Sequence, residues 1–153
     1  MTDQTDQPGF RASLDYSLLN ESHVKAYRET DGETGYMWNG APILLLTTTG
    51  RKSGEKRTIA IIFTQVGDAW VIIASKGGSP THPLWYLNIL ADPEVEIQVM
   101  GDRYAARART AAPPEREELW SQAVRTWPHY DEYQRRTDRL IPVVVIEPVR
   151  KLS

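Results

Sequence analysis

The chain has 153 residues, a mass of 17.4 kDa and a formal net charge of −2, with 41% apolar and 25% charged residues. This is the composition of one globular domain with a sizeable core, and it argues against wholesale disorder and against a polyanion partner drawn in by global charge. Cysteine is absent and the three histidines (His23, His82, His129) are scattered, which excludes disulfides and thiolate sites and speaks against a zinc centre.

The start, Met1 to Gln7, is polar and has no apolar core of the signal-peptide type. The apolar runs at Ala41–Leu46, Ala69–Ala74 and Ile141–Ile146 fall far short of the ~20 residues that span a bilayer. The expectation is therefore a cytoplasmic chain, with a polar tail over residues 1–12 and one domain over 13–153. Membrane contact finds no support in the sequence.

Asn20 to Thr30 reads as a helix, capped by Asn20 or Ser22 and ended by Asp31-Gly32. Pro42–Thr48 reads as a buried strand. Thr58–Val66 and Ala69–Ser75 follow, joined by Gly67-Asp68, a tight hairpin signal that would set Ile62 opposite Ile73, Phe63 opposite Ile72 and Ala60 opposite Ser75. A short helix comes next, capped by Thr81 or His82, with Pro83 in its first turn and Asp92-Pro93 at its end.

A second hairpin pairs Glu94–Met100 with Arg103–Thr110 through Gly101-Asp102. It would place Glu96 opposite Arg107 and Glu94 opposite Arg109, with Val95, Ile97 and Val99 on the other face. Pro113-Pro114-Glu115 opens a helix to about Arg125, and residues 127–139 are polar and studded with aromatics. Ile141–Glu147 is the last strand, with Pro142 delaying its start or placing it at an edge. Two hairpins without regular strand–helix alternation predict an α+β fold, an antiparallel, partly closed barrel with helices packed on it.

The sharpest local feature is the loop Gly50-Arg51-Lys52-Ser53-Gly54-Glu55-Lys56-Arg57, with four cations and one anion, a net +3 in a chain of −2. Its glycines permit a left-handed backbone, so consecutive N–H groups can converge on an anion, and arginine forks suit phosphate or carboxylate. The same residues also suit a solvated turn. Ser75-Lys76-Gly77-Gly78 leaves a strand and precedes a helix, and its glycines let a ligand approach the backbone closely. Trp127, Tyr130 and Tyr133 recur every three residues in a polar segment, which fits either core packing or one wall of a cleft. No serine–histidine–acid order, carboxylate dyad or Gly-x-Gly-x-x-Gly fingerprint occurs. Binding features without acid–base machinery suit an enzyme whose cofactor brings the reactivity.

Three blocks, Leu45–Gly54 (LLTTTGRKSG), Ala74–Gly78 (ASKGG) and Pro83–Asn88 (PLWYLN), together resemble the deazaflavin-dependent nitroreductase and quinone reductase family of actinobacteria. Tyr130–Gln134 and Thr137–Pro142 extend the likeness to residues 42–147. The resemblance implies a split β-barrel of the flavin-reductase and pyridoxamine-phosphate-oxidase type, and the coenzyme F420, an 8-hydroxy-5-deazaflavin with a phosphate and a glutamate-bearing tail. It implies Arg51, Lys52 and Arg57 at the tail, Thr58 among the coenzyme-binding residues, and Ser75, Lys76 and Gly77 at the ring edge with Leu84 and Trp85 beside it. It also implies Trp127, Tyr130 and Tyr133 on the substrate side, the two tyrosines as catalytic groups. There are departures: Ile59 stands where the family pattern has an asparagine, Ile62 where a tyrosine is common, and Trp127 where another tyrosine sits.

The reading is an oxidoreductase that transfers hydride from reduced F420 to a quinone, an activated alkene or a nitroaromatic. The alternatives are a flavin mononucleotide enzyme of the same fold and a non-catalytic carrier of a deazaflavin or tetrapyrrole. Nucleic acid is not an expected partner, because a single +3 patch without an exposed aromatic sheet motif is a poor footprint.

Overall fold

The computed structural model describes residues 20–153, so the predicted polar tail over 1–12 lies outside the described residues. The helices are α1 (Glu21–Glu29), α2 (Leu84–Ala91), α3 (Glu115–Thr126) and α4 (His129–Arg135). The strands are β1 (Met37–Trp38), β2 (Ala41–Thr49), β3 (Lys56–Ile62), β4 (Thr64–Val66), β5 (Ala69–Ile73), β6 (Glu94–Val99), β7 (Asp102–Thr110) and β8 (Val143–Lys151). They form one antiparallel sheet in the order β1-β2-β6-β7-β8-β5-β4, and β3 also pairs with β2. The sheet curls into a half barrel, and the fold is α+β. Among the described residues no helix is long and apolar enough to cross a membrane.

The central strands read as continuous apolar runs because both of their faces are covered. Ile43, Leu45, Ile62, Val71, Val143 and Val145 face a layer that includes Val24 and Tyr27 of α1, Leu119 and Ala123 of α3, and Tyr130 and Tyr133 of α4. Their neighbours Leu44, Leu46, Ile61, Ile72, Val144 and Ile146 face the other layer, with Trp85, Tyr86 and Ile89 of α2.

Two predicted registers are corrected. Thr64 lies opposite Val71 and Val66 opposite Ala69, as the Gly67-Asp68 turn requires, but the pairing stops there. Beyond Phe63 the chain bends away. Ile62 pairs with Ile43 and Ala60 with Leu45, while Ile73 pairs with Val143. The curl lets β3 run along β2 from Lys56 to Ile62 while β5 pairs with β8 from Trp70 to Ile73.

In the second hairpin Glu94 lies opposite Arg107 and Val99 opposite Asp102, so the turn is Met100-Gly101 and each residue of one strand meets a partner two positions from the expected one. Met100 takes φ of 55° to make that turn. A slip of two keeps every side chain on its expected face. Arg107 pairs with Glu94, while Arg109 is taken by Glu115 at 2.8 Å and Glu147 at 3.4 Å.

Helix α2 starts one residue later than expected, with Pro83 as its N-cap. The last strand starts at Val143, just after Pro142, and lies between β5 and β7 rather than at an edge.

Tyr27 fastens α1 to the sheet. Its hydroxyl accepts the Met100 N–H at 2.7 Å and donates to the Ile43 carbonyl at 3.0 Å. Burial pushes the phenol up to about 12, so it remains a donor throughout the physiological range. Tyr27→Phe is expected to destabilise the protein by about 1–3 kcal/mol, the cost of leaving buried backbone groups without their partner, read from urea unfolding midpoints.

Candidate functional site

β5 ends at Ile73, and the chain then makes a tight turn through Ser75, Lys76, Gly77 and Gly78. Lys76, Gly77 and Gly78 take φ of 47°, 64° and 85°, three successive left-handed residues. Glycine suits such a backbone, and at position 78 it is also required by space, since a Cβ would stand 2.6 Å from the Tyr133 carbonyl oxygen. Pro83, Leu84 and Trp85 then open α2, with Leu84 exposed and Trp85 buried. A cavity of about 170 Å³ lies between this turn, β3 and the start of α2. Ile59, Ala60, Ile61, Ile73, Pro83 and Trp85 make it apolar, and Lys76 is its charged wall.

The basic loop is closed by its own backbone. Gly54 N–H donates to the Gly50 carbonyl and Gly50 N–H to the Glu55 carbonyl, each at 2.8 Å. Asn88 of α2 ties the loop down: its amide oxygen accepts the Arg51 N–H at 3.1 Å and its amide nitrogen donates to Thr48 Oγ1 at 3.1 Å. Arg51, Lys52, Lys56 and Arg57 are all exposed. Arg57 lies 3.8 Å from Glu55, which offsets part of its charge. Thr58 faces away from this group. Its hydroxyl accepts from Arg28 of α1 at 2.7 Å and lies 2.7 Å from the Thr47 hydroxyl, on the face of β3 opposite to Arg57 and Ile59.

Tyr130 and Tyr133 lie on the inner side of α4 and Trp127, the C-cap of α3, meets them there, but all three are core. The exposures of Trp127, Tyr130 and Tyr133 are 4%, 1% and 5%. Trp127 packs on Trp38 with the rings tilted by 36° and 5.3 Å between centroids, and points its indole N–H toward the Tyr133 hydroxyl at 3.4 Å. The helix lies against the glycine turn, and Arg136 reaches across it to the Gly77 carbonyl at 3.3 Å. The turn, the cavity and the basic loop therefore share one region, with α4 packed on the turn.

Two residues of this region carry more than their sequence signals showed. Asn88 sat inside a quoted block without a role. Arg139 had none either, yet its guanidinium reaches the carbonyls of Ser79 (2.8 Å), Ala74 (3.2 Å) and Ser75 (2.7 Å) and the Nδ1 of His82 (3.1 Å). Burial and the Arg139 cation hold the His82 imidazole below its ordinary pKa, so the ring is neutral at pH 7 and Nδ1 accepts the arginine proton.

The sequence profile of a family described as F420H(2)-dependent quinone reductase matches residues 19–148. An F420H(2)-dependent quinone reductase of Mycobacterium tuberculosis is 43% identical over 128 residues, covering 81% of this chain and 86% of its own. Among solved structures, an F420-H2 dependent reductase (FDR-A) is 45% identical with a TM-score of 0.66, covering 69% of this chain and 94% of its own. A domain-swapped dimer is 39% identical with a TM-score of 0.67, covering 82% and 98%. A Listeria innocua structure named for pyridoxamine 5′-phosphate oxidase, 12% identical with a TM-score of 0.52, shares the fold alone.

The depressed His82 pKa sets a sign for pH dependence. Below the ordinary value of 6.5 the unfolded chain takes up a proton that the folded chain refuses until lower pH, so stability falls as pH falls from 6.5. His82→Asn keeps an acceptor for Arg139 and removes the titration. Unfolding free energy measured from about pH 7.5 to about pH 5 is expected to fall more steeply in the wild type than in this variant.

Proposed function

The chain belongs to the F420H(2)-dependent quinone reductase family, and on that footing we propose how its own residues hold the coenzyme and the acceptor. It is an F420-dependent oxidoreductase, and its acceptor is of the quinone type. The observation that carries the site assignment is the apolar cavity between the glycine turn and Trp85, joined to the +3 loop through the Asn88 hydrogen bonds. An apolar slot beside an anion-binding loop matches a flat ring that ends in a phosphate and glutamates.

In this reading Ile59, Ile61 and Trp85 take the ring, and the backbone of Ser75, Lys76 and Gly77 meets its polar edge. Leu84, exposed on the first turn of α2, flanks the entrance. Arg51 and Lys52 carry most of the tail, with Arg57 as a weaker contributor because Glu55 competes for it. Thr58 acts on the tail only through the strand, since its hydroxyl is engaged by Arg28 and Thr47. When bound and reduced, F420 supplies hydride from its ring carbon. The protein orients ring and acceptor and keeps water from the slot.

The acceptor side is assigned to α4 with Trp127, Tyr130 and Tyr133. Because these rings are buried, a hydroxyl reaches an acceptor oxygen only when α4 shifts outward from the glycine turn, a motion of the kind that gates many active sites. A tyrosine hydroxyl at that point would donate to the oxygen that gains charge as hydride arrives.

The direct test is reoxidation of F420H2 by a panel of quinones in the presence of the protein, with reduced flavin mononucleotide run in parallel. Turnover with F420H2 alone supports the reading, and binding without turnover leaves only a carrier. For the tail, Arg51→Ala and Lys52→Ala are each expected to weaken F420 binding by about 1–3 kcal/mol, with a smaller loss for Arg57→Ala. Affinity should fall with salt, less steeply in the variants. For the acceptor side, Tyr133→Phe is expected to lower kcat while leaving F420 affinity unchanged, with a stability loss of about 1–3 kcal/mol because the Trp127 N–H loses its acceptor. Tyr130→Ala gives the contrasting result of a buried ring, a stability loss of about 3–5 kcal/mol.

A further inference from the structure

The ring site as proposed above depends on the backbone of Ser75, Lys76 and Gly77, and one side chain outside the turn grips the carbonyls that aim it. Arg139 lies in the loop between α4 and β8. Its Nε donates to the Ser79 carbonyl at 2.8 Å, one terminal nitrogen to the Ala74 carbonyl at 3.2 Å, and the other to the Ser75 carbonyl at 2.7 Å. The first terminal nitrogen also meets His82 Nδ1 at 3.1 Å. One planar fork thus collects acceptors from both ends of the turn and from the residue before Pro83.

Arg139 is itself held. Gln134 of α4 brackets it, donating to the Arg139 carbonyl at 2.8 Å and accepting the Ile141 N–H at 3.0 Å. The Arg139 N–H meets the Thr137 hydroxyl at 3.3 Å.

A trans peptide places its C=O and the following N–H on opposite sides of the unit. With the Ala74 and Ser75 carbonyls drawn to Arg139, the N–H groups of Ser75 and Lys76 are turned to the other side. Ile73 and Lys76, which flank Ser75 within this segment, both line the apolar cavity. Lys76 holds φ of 47°, a backbone state that a non-glycine residue keeps only when its surroundings impose it. The Arg139 bonds on Ser75, Ser79 and His82 bracket that residue on both sides.

We propose that Arg139 is a positioning residue of the ring site: it touches neither coenzyme nor acceptor, and it fixes the Ala74–Ser75 and Ser75–Lys76 peptide planes so that their N–H side faces the deazaflavin ring. A lysine cannot replace it, because one ammonium is a point donor and cannot span three carbonyls in a plane.

This inference rests on the assignment of the ring to that cavity, and the test separates the two. Binding of full F420 and of the deazaflavin chromophore lacking the phosphate and glutamate tail is measured by titration for wild type, Arg139→Lys, Gln134→Ala and Arg51→Ala. Melting curves and binding stoichiometry accompany each titration. Arg139→Lys is expected to weaken both ligands by the same factor, about tenfold, the scale of a lost or misaimed hydrogen bond. Its salt dependence for full F420 should equal that of wild type. Gln134→Ala, which unseats Arg139 and leaves its charge, should weaken both ligands by a smaller common factor, and it decides the matter should Arg139→Lys fail to fold. Arg51→Ala should weaken only the full coenzyme. Folded variants at positions 139 and 134 that bind both ligands like wild type overturn the proposal alone. A wild-type protein that binds neither ligand overturns the ring assignment and this proposal with it.

Discussion

Strand β2 is buried on both faces and hydrogen-bonded along both edges, and this confinement decides where everything else lies. Ile43, Leu44 and Leu46 are fully buried, and the strand pairs with β3 on one side and β6 on the other. With its sides taken, the chain can depart only from its ends. At Thr49 it must reverse within a few residues to return as β3, and those residues are the basic loop. The return carries Ile59–Ile61 past the end of β5, which is why an apolar wall, a cationic loop and a glycine turn meet in one place. The charge of the loop is tolerated there because Arg51, Lys52, Lys56 and Arg57 are all exposed to water.

The sequence made legible what depends on a few adjacent residues. The glycine-flanked cations, the Ser75–Gly78 turn, the Asn20 cap of α1 and the alternation of β6 are local, and each formed as expected. What depended on distant partners was read less well. Ile62 pairs with Ile43 instead of Ile73 because the whole sheet curls, and nothing near Phe63 announces the bend. The Met100-Gly101 turn replaced Gly101-Asp102 because a non-glycine residue accepted a left-handed backbone. The i, i+3, i+6 spacing put Tyr130 and Tyr133 on one side of α4, while Trp127 reaches the same cluster from the end of α3, and spacing cannot tell a core face from a cleft face. Arg139 lies in the Thr137–Pro142 segment of the resemblance, but its role was not legible there because its partners are mostly carbonyl oxygens, which every residue possesses.

Magnitudes suggest a division of labour within the site. A cavity of about 170 Å³ is smaller than the roughly 300–1,000 Å³ that encloses a drug-sized ligand, so it can hold only part of a tricyclic ring. On the proposed site assignment, that leaves affinity to the charged tail and orientation to the slot, with part of the ring uncovered for the second substrate. The two functions are held in register by α2. Trp85 lines the slot, and Asn88, three residues on and on the same side of the helix, fixes the backbone of the tail loop. Less than one helical turn, about 5.4 Å of rise at most, therefore sets the spacing between ring and tail contacts. A rigid spacing makes the second contact effectively intramolecular once the first has formed. On the proposed assignment, tail binding raises the local concentration of the ring at the turn, where Arg139 holds the Ala74 and Ser75 carbonyls from behind.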